Sequence, residues 1–180
     1  MSKGLRRTEF GNPILRTPTH ELTAQEVRSS EIQQLITDMQ EFLKGKKTGI
    51  GLAATQVNSS ARLCVIAIKP TPNRPHLEPY NQVMINPAII NTFGRKAQLW
   101  EACISGPGMY AKVPRYKRIE ATFLDENGRK HTKQFEGIQA HVVQHEVDHL
   151  NGILFVDRVK DTSTYTTQAE FKKLVKAGKA

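Results

Sequence analysis

The stretch Gln144-His145-Glu146-Val147-Asp148-His149-Leu150 constrains this chain more than any other. Two histidines stand four residues apart with a glutamate between them in an apolar, helix-compatible run, the H-E-x-x-H arrangement that sets two imidazoles on one helix face. Measured round a helix from His145, His149 falls at about 40°, Glu146 at about 100°, and Ile138 and Val142 at about 20° and about 60°. The histidines therefore share the apolar face. A core histidine satisfied by hydrogen bonds explains one such residue, but poorly explains two at ligand spacing with a carboxylate between them. A metal gripped by two histidines is under-coordinated, so a third ligand, donors for a substrate carbonyl and a pocket must come from elsewhere in the fold.

His141 continues the series, but it lies about 12 Å along the helix axis from His149, whereas ligands of one tetrahedral ion sit about 2 Å from it. It cannot complete the site with both others, and is expected at the pocket edge or in solvent. The pattern H-E-x-x-H-x-x-G-x-x-H finds Gly152 in place but Phe155 where its third histidine belongs. A downstream glutamate ligand leaves only Glu170, in a lysine-rich segment where a solvated face is the better explanation. Cys103 is the stronger candidate, because Cys/His/His leaves a fourth position for water. Cys64, inside Arg62-Leu63-Cys64-Val65-Ile66-Ala67-Ile68-Lys69, reads as a small buried hydrophobe.

The rest of the chain supplies the frame. Residues 10–27, with Pro13 and Pro18, read as an extended arm. From Ser30, Ile32, Leu35, Ile36, Met39, Phe42 and Leu43 recur at spacings of three and four, an amphipathic helix that Gly45 closes. Arg62–Lys69 reads as a strand, followed by a proline-rich connection with Pro70, Pro72, Pro75 and Pro79. Val83–Ile90 is a second strand, which Pro87 demotes to an edge or a bulge. Gly106-Pro107-Gly108 is expected to turn the chain. Arg118–Leu124 and Lys130–Phe135 form a hairpin through Asp125-Glu126-Asn127-Gly128. Helix returns from about Gly137 to Asn151 and ends at Gly152; Ile153–Val156 then reads as a short strand, and a basic helix lies within Asp157–Ala180. Several strands round unevenly placed helices predict an α+β fold: antiparallel or mixed sheets about a central helix carrying the metal motif, with one helix near the N-terminus and one at the C-terminus. Residues 1–180 are expected to form one catalytic domain, with 158–180 as its basic tail.

The balance of 26 Lys+Arg against 17 Asp+Glu gives a net charge of +9, which favours a polyanion such as ribosomal RNA and is equally compatible with plain solubility. No apolar run reaches the roughly 18 residues of a membrane helix. Met1-Ser2-Lys3-Gly4-Leu5-Arg6-Arg7 leads into no apolar segment, so a secretory signal is not expected. Two cysteines suit a reducing compartment, which points to the cytoplasm.

Three stretches in order, Gly49-Ile50-Gly51-Leu52-Ala53-Ala54-Thr55-Gln56, Glu101-Ala102-Cys103-Ile104-Ser105 and Gln144–Leu150, resemble the motifs of the peptide deformylases. The resemblance runs from about Phe10 to Asp157 and includes Asn12-Pro13-Ile14-Leu15-Arg16. It departs at Ala102, where the family has glycine, and at Gly106, where a valine commonly stands. A methyl group at 102 matters only where positive φ or a close neighbour demands glycine. The resemblance implies removal of the N-formyl group from the initiator methionine of nascent peptides. It implies Cys103, His145 and His149 as metal ligands, Glu146 as general base, and Gln56 with the Ile104 N–H as oxyanion donors. Gly51 would bind the peptide backbone, with Ile50, Leu99, Ile138 and Val142 round the methionine side chain and His141 at the edge. The implied metal is one divalent ion, Fe2+ first, with Zn2+, Ni2+ or Co2+ as possible occupants. Partners would be formyl-methionyl peptides and, through the basic tail, the ribosome, with no membrane and no DNA. The rival reading is a non-catalytic or altered-specificity, deformylase-like metal-binding module that docks on the ribosome.

Overall fold

The computed structural model describes residues 5–46, 49–70 and 77–179. Met1 to Gly4 of the basic start, and Pro72 and Pro75 of the proline-rich connection, lie outside the described residues. The sheet runs β1 (Gly51–Ala53), β2 (Leu63–Ile68), β3 (Tyr80–Cys103), β4 (Gly106–Leu124) and β5 (Lys130–Glu136), each strand antiparallel to the next, with β6 (Thr166–Thr167) added to β4. The helices are α1 (Ala24–Val27), α2 (Ser30–Lys44), α3 (Gly137–Leu150), α4 (Phe155–Arg158) and α5 (Gln168–Lys176). This is the α+β class.

β2 shows why the sheet sits where it does. Its residues are apolar without alternation because both faces are covered: Leu63 and Val65 join the cluster of α2, while Cys64, Ile66 and Ile68 join that of α3. On the first side Ile32, Ile36, Met39 and Leu43 realise the predicted stripe of α2, whose N-terminus is capped by Ser29 and whose C-cap is Gly45. On the other, Ala140, Val143, Val147 and Leu150 bury one face of α3 against the sheet. Gly152 (φ +73°) ends α3 and lies so close to the Arg16 carbonyl that a Cβ there would overlap it.

Five expectations change. The arm over residues 10–27 contains a 3-10 turn at Pro13–Arg16, opened by Asn12 accepting from the Ile14 N–H, and the turn α1, closed by a Thr23–Glu26 capping box. The strand expected at Val83–Ile90 is part of the much longer β3, and Pro87 sits at a bulge where the pairing shifts between Ile85 and Ala88 beside Asn86 (φ +49°). The turn after Cys103 is Ile104-Ser105, so Gly106-Pro107-Gly108 already belongs to β4. Ile153–Val156 is not a strand: Asp157 reaches back to accept from the Leu154 N–H at 2.7 Å and winds Phe155–Arg158 into a helical turn. The basic tail is not one helix: beyond α4 it makes a 3-10 turn at Thr162–Thr164, and β6 ties it to β4 before α5 begins. Among the described residues no helix is long and apolar enough to cross a membrane.

Candidate metal centre

α3 turns His145 and His149 towards the end of β3, where Cys103 is the last strand residue before the turn. The ligand atoms of Cys103, His145 and His149 lie within 4.8 Å of one another, and Cys103 Sγ stands 3.1 Å from His149 Nε2. One soft thiolate and two imidazoles form a donor set suited to a divalent transition metal, with room for a further ligand.

The site is supported from behind by buried polar groups. His145 Nδ1 pairs with Glu101 Oε2 at 2.8 Å, which leaves Nε2 as the ring nitrogen available to a metal. Glu101 also accepts from Arg115 at 2.6 and 3.1 Å and pairs with His141 Nε2 at 2.9 Å. Arg115 continues to Asp148 Oδ2 at 2.5 Å, and Arg158 covers the other side of that carboxylate at 2.7 and 3.1 Å. Burial alone would raise the Glu101 pKa, but the hydrogen bonds from His141, His145 and Arg115 outweigh it and hold the carboxyl far below the usual range. Burial likewise resists ionisation of Cys103, yet His149 and His145 beside it hold its thiol well below the ordinary range, favouring the thiolate a metal needs. Cys64, dominated by burial, is pushed the other way and stays a core residue.

Glu146 occupies different surroundings. It is 3% exposed, its Oε2 has no hydrogen-bond partner, and burial pushes its pKa up to about 6 against the pull of the two histidines. Gly51 makes room for it, because a Cβ at that position would overlap Glu146 Oε1 and crowd Val142. Gln56 lies across the site in the 3-10 turn Ala54–Val57. Its Oε1 accepts from the Ala53 N–H at 2.8 Å, and this aims Nε2 at Cys103 Sγ and Ser105 Oγ, each 3.3 Å away. Ile104 follows Cys103 in the turn, half-buried against the α2 cluster.

Of the expected pocket residues, Ile50, Ile138 and Val142 gather round the same apolar cluster. Leu99 is half-buried on β3, paired with Val113, with its side chain on the strand face shared by Glu101 and Cys103. His141 is committed to Glu101 and only 12% exposed at its side chain, so it stands in the support of His145 as well as beside the pocket residue Val142. Ala102 lies exposed in regular pairing opposite Tyr110, and the positive φ angles outside glycine among the described residues fall at Asn58 and Asn86, so its methyl group is accommodated. Gly106 is covered by Phe10: a Cβ there would come within 2.7 Å of the ring. Phe10 in turn donates its N–H to the Ser105 carbonyl at 2.9 Å and packs on Phe155, whose ring lies 6.4 Å from that of His145.

The reading of the sequence missed Arg115, Ser105 and Phe10. For Arg115 there was a usable signal. It shares strand parity with Ala111 and Val113, so it had to point inward, and a buried guanidinium requires carboxylates around it.

The sequence model of the polypeptide deformylase family matches residues 7–165. The chain is 36% identical over 170 residues to peptide deformylase 2 of Nostoc sp., covering 93% of this chain and 92% of the relative. With the peptide deformylase of Thermomicrobium roseum it shares 38% identity over 154 residues, 86% and 85% of the two chains. The fold superposes on the Met-Ala-Ser-bound crystal structure of a class I type b peptide deformylase from Acinetobacter baumannii with a TM-score of 0.83 and 34% identity, covering 88% of this chain and all of that one. The actinonin complex of a peptide deformylase from Synechococcus elongatus gives a TM-score of 0.77 and 36% identity, covering 100% and 90% of the two chains.

Proposed function

The chain belongs to the polypeptide deformylase family, and from that membership we infer a metal-dependent hydrolase that removes the formyl group from N-formyl-methionyl peptides, releasing formate and a free N-terminal methionine. The observation that supports the assignment of residues is the convergence of Cys103, His145 and His149 beside Glu146 and the Gln56 amide. We assign the first three as ligands. A divalent ion held by them supplies Lewis-acid polarisation and eases the ionisation of water. Fe2+ is the proposed native ion, with Zn2+, Ni2+ and Co2+ compatible with the same donors.

Glu146, with its pKa near 6, is mostly ionised at neutral pH and acts as the base that takes the proton from the attacking water and passes it to the leaving amine. The Gln56 Nε2–H and the Ile104 N–H donate to the oxyanion that develops on the formyl oxygen. The peptide lies as an added strand along Gly51, with the methionine side chain against Ile50, Leu99, Ile138 and Val142 and His141 at the rim. The exposed lysines of α5, Lys172, Lys173 and Lys176, are proposed to draw the enzyme to the ribosome in the cytoplasm, where such peptides emerge. No observation favours the non-catalytic alternative.

The test is formate release from formyl-Met-Ala-Ser by protein prepared without oxygen, with metal analysis of the same sample. Activity proportional to bound iron and lost in air is the expected result. Full activity after complete metal removal would overturn the mechanism, and activity that follows zinc content in air would overturn iron.

A further inference from the structure

The deformylase chemistry uses the inner face of the β3–β4 hairpin, which carries Glu101, Cys103 and Arg115, and leaves the outer face without a role. That outer face has its own pattern. Three cross-strand pairs each set a cation over an aromatic ring, with Gln98–Pro114 between the second and the third: Arg118 over Phe93 at 4.9 Å, Lys96 over Tyr116 at 5.0 Å and Lys112 over Trp100 at 5.3 Å. All three are direct register pairs of the two strands, so they lie in a row on one side of the sheet. Phe93 and Trp100 are seven residues apart, a span of roughly 20 Å along the strand. The rings are half-buried, whereas Lys96 and Arg118 are exposed. Three acidic groups lie by these cations and are engaged locally: Glu120 accepts from Asn91 Nδ2 at 2.7 Å, Glu136 lies 3.7 Å from Arg118, and Asp161, near Lys112, accepts from the Ser163 N–H and hydroxyl at 3.0 and 2.6 Å. A hollow of about 420 Å³ opens beside Phe93 between Arg118 and Lys117. At the other end, Phe171 of the basic helix α5 stacks on Tyr110 at 4.2 Å and meets Trp100 edge-on at 5.3 Å, which anchors α5 to the same face.

We propose that this face is an RNA-binding surface, with Lys96, Lys112 and Arg118 placed for phosphates and the edges and faces of Phe93, Trp100 and Tyr116 for bases. Cations alternating with rings along a strand pair combine the two requirements of single-stranded RNA, a charged track for the backbone and flat apolar platforms for the bases. A folded acidic protein needs the charge but not the platforms. The cations are also held in place by the rings before any ligand arrives, so less side-chain freedom is lost on binding. The net charge of +9 acts in the same direction. This proposal is independent of the assignment of the metal ligands, and it assigns RNA contact to the body of the domain as well as to its tail.

The experiment measures binding of a short mixed-sequence single-stranded RNA by fluorescence anisotropy across a range of salt concentrations. Wild-type protein, the triple variant Lys96→Ala/Lys112→Ala/Arg118→Ala, the single variant Phe93→Leu and the tail variant Lys172→Ala/Lys173→Ala/Lys176→Ala are compared. The face triple variant should bind more weakly, with the slope of log affinity against log salt reduced by about 2, since each phosphate contact on a single strand contributes about 0.7. Phe93→Leu should weaken binding by about five-fold or more with an unchanged slope, the mark of lost stacking without lost charge. Formyl-Met-Ala-Ser hydrolysis serves as the folding control and should be unchanged in all of them. The proposal is overturned if the face triple variant binds RNA as wild type does, if only the tail variant loses binding, or if wild type binds phosphatidylglycerol vesicles or polyglutamate but not RNA.

Discussion

Glu101 and Glu146 both lie beside His145, are buried to nearly the same degree, and are driven in opposite directions. Glu101, 4% exposed, has both oxygens occupied by Arg115, His141 and His145, and its carboxyl is held far below the usual range. Glu146, 3% exposed, meets no donor at Oε2, and burial lifts it to about 6. Burial is therefore common to both, and the supply of hydrogen-bond donors decides between them. A carboxylate that cannot release its partners holds a ligand in place, whereas one with a free oxygen can take up a proton and give it back.

Substitution can break this contrast at each end. The largest effect is expected for Glu146→Gln, which keeps shape and polarity but cannot accept a proton: kcat should fall about 100- to 10,000-fold, with metal content unchanged by elemental analysis. A Glu146→Gln enzyme with near wild-type formate release would make the two carboxylates equivalent supports. Gln56→Ala, which removes a donor aimed into the site, should lower kcat by about 100- to 1,000-fold with little change in metal binding, as read by steady-state kinetics on formyl-Met-Ala-Ser. For Glu101→Gln the expected effect lies on the metal, an affinity about 10- to 100-fold weaker by competition with a chelator. Unaltered affinity, with only kcat reduced, would move Glu101 from support into the chemistry. The smallest effect concerns the packing behind the ligands: Gly106→Val should cost about 1–3 kcal/mol in denaturant unfolding through its collision with Phe10. Adding Phe10→Leu should recover part of that loss. No recovery would show that the ring is not what excludes a side chain at 106.

Legibility in the sequence tracked the range of the interactions involved. The stripe of α2 and the ligand spacing of α3 depend on neighbours three and four residues away, and both helices appear within a residue or so of where the spacing put them. Ile153–Val156 misled because four apolar residues fit a strand as well as a buried turn, and the choice was made by Asp157 capping Leu154. β3 was longer than its apolar pattern suggested, since Asn91 to Gln98 is largely polar and is held by pairing with β4 and not by burial.

The sequence by itself determined that a helix would present two imidazoles and a carboxylate together, because a helix of fixed pitch leaves side chains at that spacing no other arrangement. Its three ordered motifs also carried the resemblance to the deformylases. Only the tertiary structure decided what surrounds them. Antiparallel pairing brings Cys103 to the histidines from some forty residues upstream, and inward strand parity aims Arg115 at Glu101 and Asp148. The same pairing places Lys96, Lys112 and Arg118 over rings on the opposite face. These contacts join residues distant along the chain, and register between strands, unlike helical pitch, is set by the whole packed sheet.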